Sequence, residues 1–323
     1  MPEILTVTLN PAIDVAMVVD KMIDTHKLRG KAARRDPGGG GINVARVLHR
    51  LRSHEDAGDG GDSGDCAALY FTGGAVGQEL AELLDAEQVC HISVPIAEET
   101  RENLSVRETS TGKEYRFVMP GPTISEGEWA QMTLKLDVLL AADVPPRYLV
   151  LSGDLPPGLP ADAYVPLVRA AHRRDVRVVL DTSSPALAHA LNERVFLVKP
   201  SLRELGDLVG QPLADEAAWR AAAQRIVDDG RAEIVALTLG DAGALVVTRT
   251  QALRVQALPM PVSSAIGAGD SFVAGMIWAL HRNESFDNVV RYALATASAT
   301  LLAEGTALCR VEDVERLYRT LVH

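Results

Sequence analysis

Between Arg147 and Pro200 the chain reads RYLVLSGDLPPGLPADAYVPLVRAAHRRDVRVVLDTSSPALAHALNERVFLVKP. Three β-rich runs stand out in it, Tyr148 to Leu151, Val176 to Leu180 and Phe196 to Val198, and a fourth, Ile234 to Leu239, follows. Their near-continuous apolar character suits strands buried on both faces, the situation of a parallel sheet covered by helices. The intervening stretches supply such helices: in Ala161 to Arg174 and Glu216 to Asp228 apolar residues recur at intervals of three and four. The expected fold class is therefore α/β, with ligands bound outside the carboxyl ends of the strands.

Other segments alternate polar and apolar residues instead. Asp14 to Val19, Lys31 to Asp36, Leu104 to Glu108 and Glu114 to Met119 read as amphipathic strands, the last two joined by a Ser110-Thr111-Gly112 turn. Strands at two separate places in an α/β chain are expected to form one small sheet outside the main one, spanning about 14–36 and 101–119 and shaped as a lid. Its apolar face must close over a ligand or pack on a second subunit, and a symmetric homodimer is expected. His54 to Asp65, rich in Gly and Asp, is expected to be a mobile surface loop between a helix ending near Leu51 and a strand beginning near Ala67.

At 323 residues and 47% hydrophobic content the chain is long enough for a large core. A net charge of −11 argues against general affinity for nucleic acid or an anionic membrane, both of which need a basic face. Met1-Pro2-Glu3-Ile4-Leu5 does not resemble a signal segment, and no apolar run approaches the roughly 18 residues of a membrane span, so a cytoplasmic location is expected. Cys66, Cys90 and Cys309 lie far apart without a CxxC pair and are expected to be buried or half-buried thiols.

Two glycine-rich helix starts carry the chemical interest. In Ser263-Ser264-Ala265-Ile266-Gly267-Ala268-Gly269-Asp270-Ser271, glycines allow close backbone approach and the following helix, Phe272 to Leu280, turns its positive end toward the same place. This makes an anion hole, beside which the Asp270 carboxylate could accept a proton from an attacking hydroxyl. The alternative on local sequence is that Asp270 only caps the helix. Pro37-Gly38-Gly39-Gly40-Gly41-Ile42-Asn43-Val44-Ala45-Arg46 is the second, and it matches neither a P-loop nor a dinucleotide fingerprint. Four consecutive glycines imply that a ligand or another backbone needs the space. Lys199-Pro200-Ser201-Leu202-Arg203-Glu204 and Thr238-Leu239-Gly240-Asp241-Ala242-Gly243-Ala244 follow strands, where such residues suit a nucleotide phosphate and its magnesium.

Together with Leu9-Asn10-Pro11-Ala12-Ile13-Asp14, Thr100-Arg101-Glu102-Asn103-Leu104, Ser152-Gly153-Asp154-Leu155-Pro156-Pro157-Gly158 and Gly305-Thr306, these motifs resemble, in order and spacing, the ribokinase-like carbohydrate kinases of the phosphofructokinase-B group. The resemblance covers nearly the whole chain. It implies a single kinase domain over 1–323, a three-layer α/β/α sandwich with a β-sheet lid, and the use of ATP and Mg2+. In that pattern Asp14, Gly38, Gly39, Asn43 and Ser152 belong to the sugar side. Arg101 would grip the substrate phosphate, with Lys27 and Arg29 as helpers. Because those two lie on the connection between lid strands, close to the expected dimer interface, one of them, Lys27 in the first place, is expected to reach the phosphate bound by the neighbouring subunit. Lys199, Ser201, Thr238, Gly240 and Gly243 would serve the nucleotide and Glu204 the metal. Asp270 would be the base, with the N–H groups of Gly267, Ala268 and Gly269 stabilising the moving phosphoryl group.

Gly40 bears on the substrate. Relatives acting on fructose 1-phosphate or tagatose 6-phosphate usually have lysine there, whereas the glycine run and Tyr115-Arg116-Phe117-Val118-Met119-Pro120-Gly121 are similar to the minor type of bacterial 6-phosphofructokinase. Fructose 6-phosphate is thus the expected substrate, with its C1 hydroxyl as nucleophile. The chain departs from the pattern at Ser201, usually Asn, at Ala265, often Thr, and at Asp154, often Ser. K+ is a further implied cofactor, although Ala303 and Ala307 stand where relatives often place Asn and Arg beside the cation. A sugar-phosphate sensor without turnover is the competing class, and an intact Asp270 beside an anion hole argues against it.

Overall fold

The structure, a computed structural model, describes residues 2–55 and 66–322. Its strands are β1 (Ile4–Thr8), β2 (Ala12–Val19), β3 (Lys31–Gly38), β4 (Cys66–Thr72), β5 (His91–Pro95), β6 (Arg101–Glu108), β7 (Glu114–Phe117), β8 (Tyr148–Ser152), β9 (Arg177–Asp181), β10 (Val195–Val198), β11 (Ala232–Thr238), β12 (Ala244–Val247) and β13 (Ala252–Val255). The helices are α1 (Gly40–Glu55), α2 (Gly74–Ala86), α3 (Glu126–Leu140), α4 (Tyr164–His172), α5 (Ala186–Leu191), α6 (Leu202–Val209), α7 (Glu216–Asp228), α8 (Ala268–His281), α9 (Phe286–Leu302) and α10 (Val311–Val322).

Nine strands form one sheet in the order β13-β12-β11-β10-β9-β8-β1-β4-β5. It is parallel except where β12 and β13 fold back antiparallel at one edge. Successive side chains of a strand point to opposite faces, which is why its strands read as unbroken apolar runs. Leu149 and Leu151 pack with Met132, Leu136, Tyr164, Leu167, Leu187, Leu205 and Ile226 of α3 to α7. Their neighbours Tyr148 and Val150 pack on the other face with Val44, Val47, Phe272, Ile277, Val290 and Leu317 of α1, α8, α9 and α10. The result is the expected three-layer sandwich with a mainly parallel sheet.

The alternating segments form a separate four-stranded sheet, β3-β2-β6-β7. β2 pairs antiparallel with β3 and parallel with β6, and β6 pairs antiparallel with β7 through a turn in which the Gly112 N–H donates to the Glu108 carbonyl at 2.8 Å. β7 ends at Phe117, two residues short of the expected Met119, because other groups take the next backbone atoms. The Met119 N–H donates to Asn103 Oδ1 at 3.2 Å and its carbonyl accepts from Arg101. Val15 of β2 packs against the α2 side, beside Ile13, Ile42, Leu80 and Leu84.

Three smaller expectations change. α1 runs to Glu55 rather than ending near Leu51, and residues 56–65, most of the Gly/Asp-rich loop, lie outside the described residues. β11 stops at Thr238, since Leu239 precedes a 3-10 turn over Gly240–Ala242. Cys309 is buried and Cys66 half-buried as expected, but Cys90 is exposed. Among the described residues no helix is long and apolar enough to cross a membrane.

Candidate active site

A cavity of about 410 Å³ lies at the carboxyl ends of the parallel strands and under the small sheet. The main sheet contributes Asn10 after β1, Ser152 and Gly153 at the end of β8, and Asp181, Thr182 and Ser183 at the end of β9. The small sheet contributes Asp14 from β2, Arg101 and Asn103 from β6, and Arg116 from β7. Two helix starts close it, Gly39, Gly40 and Asn43 at α1 and Ile266, Gly267 and Asp270 at α8.

The glycine run before α1 is explained mostly by close packing. Gly39 has φ +114°, and a side chain on Gly40 would collide with the Ser152 hydroxyl and with Gly153 N at 3.0 Å. At α8, Gly267 takes φ +74° as the N-terminal residue and has no side chain with which to cap. Asp270 is therefore not the cap. It sits half-buried in the first turn, where Oδ2 accepts the Asn43 Nδ2–H at 2.8 Å. Asn43 Oδ1 in turn faces Arg46 Nη1 at 3.4 Å, and the fully buried Arg46 is anchored by the carboxylate of Glu87.

Beside Asp270, the buried Lys199 ammonium pairs with Asp181 at 3.0 Å. Burial, then the neighbouring Asp181, push the Asp270 carboxyl up to about 7, while Asn43 and Lys199 pull the other way. Burial also raises Asp181, against the pull of Lys199. Lys199 stays above its usual value despite burial because Asp181, Glu204 and Asp270 surround it. One ammonium among several carboxylates leaves an excess of negative charge, which a proton or a cation relieves.

Toward the small sheet, Asp14 Oδ1 accepts from Asn103 Nδ2 at 2.9 Å, across directly paired positions of β2 and β6. Burial raises its carboxyl. Gly38 leaves room for that carboxylate, because a side chain there would strike it. Arg101 donates to the carbonyls of Met119 at 2.6 Å and Asn10 at 2.8 Å. Its Nε and the Ser152 hydroxyl are buried without a hydrogen-bond partner among the described residues, as is expected of groups shaped for a ligand.

Of the residues expected from sequence, Asp14, Gly39, Asn43, Arg101, Ser152, Glu204, Gly267 and Asp270 line this cavity. Gly38 stands behind Asp14, and Ala268 and Gly269 continue the α8 start, with the Gly269 backbone facing Lys199. Glu204 doubles as a helix cap: its Oε2 accepts the Ser201 N–H at 2.7 Å and hydroxyl at 2.8 Å, so the Ser-x-x-Glu spacing is also a capping box. Ser201, Thr238, Gly240 and Gly243 gather nearby at the ends of β10 and β11 but not in the cavity wall; the Thr238 N–H donates to Pro200 O at 3.0 Å. Lys27 and Arg29 lie exposed on the β2–β3 connection and do not reach the cavity of their own chain. Asp181, Asn103 and Arg116 were not anticipated as site residues. The signal for Asp181 was available, an acid closing the apolar run Val178-Val179-Leu180 at a strand end.

The family model for pfkB family carbohydrate kinases matches residues 5–313. The chain is 42% identical over 318 residues to the ATP-dependent 6-phosphofructokinase isozyme 2 of Mycobacterium tuberculosis, covering 98% of this chain and 89% of the relative. It is 37% identical to the enzyme of the same name from Escherichia coli, covering 99% of each, and 30% identical to the 1-phosphofructokinase of Bacillus subtilis, covering 93% of each. A crystal structure of Escherichia coli phosphofructokinase-2 in complex with substrates and products superposes with a TM-score of 0.91, at 37% identity and 99% coverage of each chain. Ribokinase from Thermotoga maritima, at 19% identity and a TM-score of 0.74, shares the fold. This chain belongs to the pfkB family of carbohydrate kinases.

Proposed function

We propose that the chain transfers the γ-phosphoryl group of ATP to the C1 hydroxyl of fructose 6-phosphate, giving fructose 1,6-bisphosphate and ADP. The observation that carries this is the half-buried Asp270 carboxylate in the first turn of α8, held by Asn43 on one oxygen and facing the cavity beside Gly267. In this reading Asp270 takes the C1 hydroxyl proton as the oxygen–phosphorus bond forms and the bond to the ADP oxygen breaks. The N–H groups of Gly267, Ala268 and Gly269, at the positive end of α8, receive the charge on the phosphoryl oxygens. A carboxyl that titrates near the working pH is matched to this task.

Asp14, Asn43 and Ser152 orient the sugar, with Gly38 and Gly39 giving it room. Arg101 takes the 6-phosphate and Arg116 lies near it. Lys199, Ser201, Thr238, Gly240 and Gly243 serve the nucleotide. Mg2+, when bound, neutralises phosphate charge. Among the described residues no three His, Cys, Asp or Glu side chains form a metal cage, which fits an ion held by one or two carboxylates, here Glu204, and by the substrate phosphates. K+ belongs to the same proposal; Escherichia coli phosphofructokinase-2 has been crystallised in complex with potassium.

The small sheet acts as a lid and as the interface of a homodimer. Ile23, Leu28, Phe117, Val118 and Met119 are exposed on or beside it, an apolar face that a second copy would cover. Lys27 would then reach the phosphate bound by the neighbouring subunit, with Arg29 beside it. Solubility and a cytoplasmic location accord with this reading.

Fructose 1-phosphate and tagatose 6-phosphate are the competing substrates. Gly40 speaks against them: such relatives usually carry lysine at this position, where a side chain would here displace the Ser152 hydroxyl and crowd the backbone at Gly153. A coupled ADP-release assay over the three sugar phosphates decides. The largest kcat/KM is expected with fructose 6-phosphate, and a preference for either other compound overturns the assignment.

A further inference from the structure

The turn entering α8 is tied to the small sheet. Ser264 is buried, and its hydroxyl lies 3.1 and 3.3 Å from the two carboxylate oxygens of Glu114 on β7. The same hydroxyl accepts the Ile266 N–H at 3.2 Å. Glu114 Oε1 also accepts Ser105 Oγ of β6 at 2.9 Å. One residue earlier, Ser263 Oγ accepts from Arg107 Nη1 of β6 at 3.1 Å, while its N–H donates to Leu301 O at 2.7 Å.

The direction of these bonds matters. A carboxylate only accepts, so the single hydroxyl hydrogen of Ser264 must point at Glu114, leaving its lone pairs for the Ile266 N–H. That arrangement sets the path of the chain at Ile266, which lines the cavity and passes directly into the left-handed Gly267 at φ +74°. Freed from Glu114, the hydroxyl could turn its hydrogen elsewhere, and the turn would lose one of its fixed points.

We propose that Glu114 is a positioning residue for phosphoryl transfer: from the small sheet, through Ser264, it holds the turn that aims the Gly267 to Gly269 N–H groups into the cavity. This rests on the reading of those N–H groups as an anion hole. It means that the small sheet does more than cover the sugar, since its placement and the shape of the hole are joined by one carboxylate.

The test is steady-state kinetics with fructose 6-phosphate and ATP on the full chain carrying Glu114→Ala, Glu114→Gln, Ser264→Ala, and Glu114→Ala with Ser264→Ala. Each single alanine variant is expected to lower kcat about tenfold, with both KM values within about twofold of the parent. The double variant should be no slower than the worse single one, because the two residues act as a unit. Glu114→Gln keeps an acceptor oxygen for Ser105 and Ser264 and should recover most of the turnover. A purely structural role would lower Tm and leave kcat intact. Parental kcat in Glu114→Ala, or a double loss equal to the product of the singles, overturns the proposal. Should Ser264→Ala fail to fold, the contrast between Glu114→Ala and Glu114→Gln still decides. Asp270→Asn separates the layers: normal turnover there removes the reading beneath, whereas an inactive Asp270→Asn beside a normal Glu114→Ala removes only this inference.

Discussion

The nine-stranded sheet hides apolar side chains on both faces, Leu149 and Leu151 under α3 to α7 and Tyr148 and Val150 under α1 and α8 to α10. The four-stranded sheet does not: Phe117, Val118 and Met119 at the end of β7 and Ile23 and Leu28 on the β2–β3 connection stay exposed. The large sheet is complete within one chain, and it brings to its strand ends the groups assigned to chemistry and nucleotide, Asp270, Lys199 and Glu204. The small one supplies Asp14, Asn103, Arg101 and Arg116 to the cavity, at the side assigned above to the sugar, and leaves apolar residues exposed. In the proposed function, holding the sugar phosphate and pairing two copies therefore fall to the same element.

The division can be broken at Arg101. If Arg101 grips the substrate phosphate as proposed, that contact persists from ground state to transition state, so Arg101→Ala should raise KM for fructose 6-phosphate by about tenfold or more and change KM for ATP little. A fall in ATP affinity instead would move Arg101 to the other substrate and erase the division. A smaller effect sharpens it. If the exposed face meets a second copy and Lys27 crosses to the neighbouring site, mixing inactive Asp270→Asn chains with inactive Lys27→Ala chains should restore part of the activity, since heterodimers contain one site with both residues intact. A fully active monomer by sedimentation contradicts the dimer, and a dimer without complementation removes Lys27 from the neighbouring site while leaving the interface standing.

The two sheets were also legible in the sequence for different reasons. Unbroken apolar runs such as Tyr148 to Leu151 disclose burial on both faces, and α7 begins and ends where its periodicity does, at Glu216 and Asp228. The alternating runs Asp14 to Val19 and Leu104 to Glu108 disclose a one-sided sheet, but nothing local says that β2 pairs parallel with β6 and sets Asp14 opposite Asn103. Asn103 and Arg116 stand in motifs that point to the family, but their place in the cavity wall follows from the strand pairings β2–β6 and β6–β7, which local sequence does not disclose. Asp181 escaped because its partner Lys199 comes from the next strand over, and strand order is a property of the whole sheet. Ser201 and Glu204 show the opposite case, a spacing read for its metal chemistry that is at the same time a capping box. Asp270, read as either base or cap, turns out to leave the N-terminal position to Gly267.

The most direct measurement is the single-turnover rate of Asp270→Asn with ATP and fructose 6-phosphate, taken alongside equilibrium binding of both. Asparagine keeps the shape and cannot take the proton, so phosphoryl transfer should slow by about a hundredfold or more with binding largely kept. A variant that transfers the phosphoryl group at nearly the parental rate would contradict the assignment of Asp270 as the base.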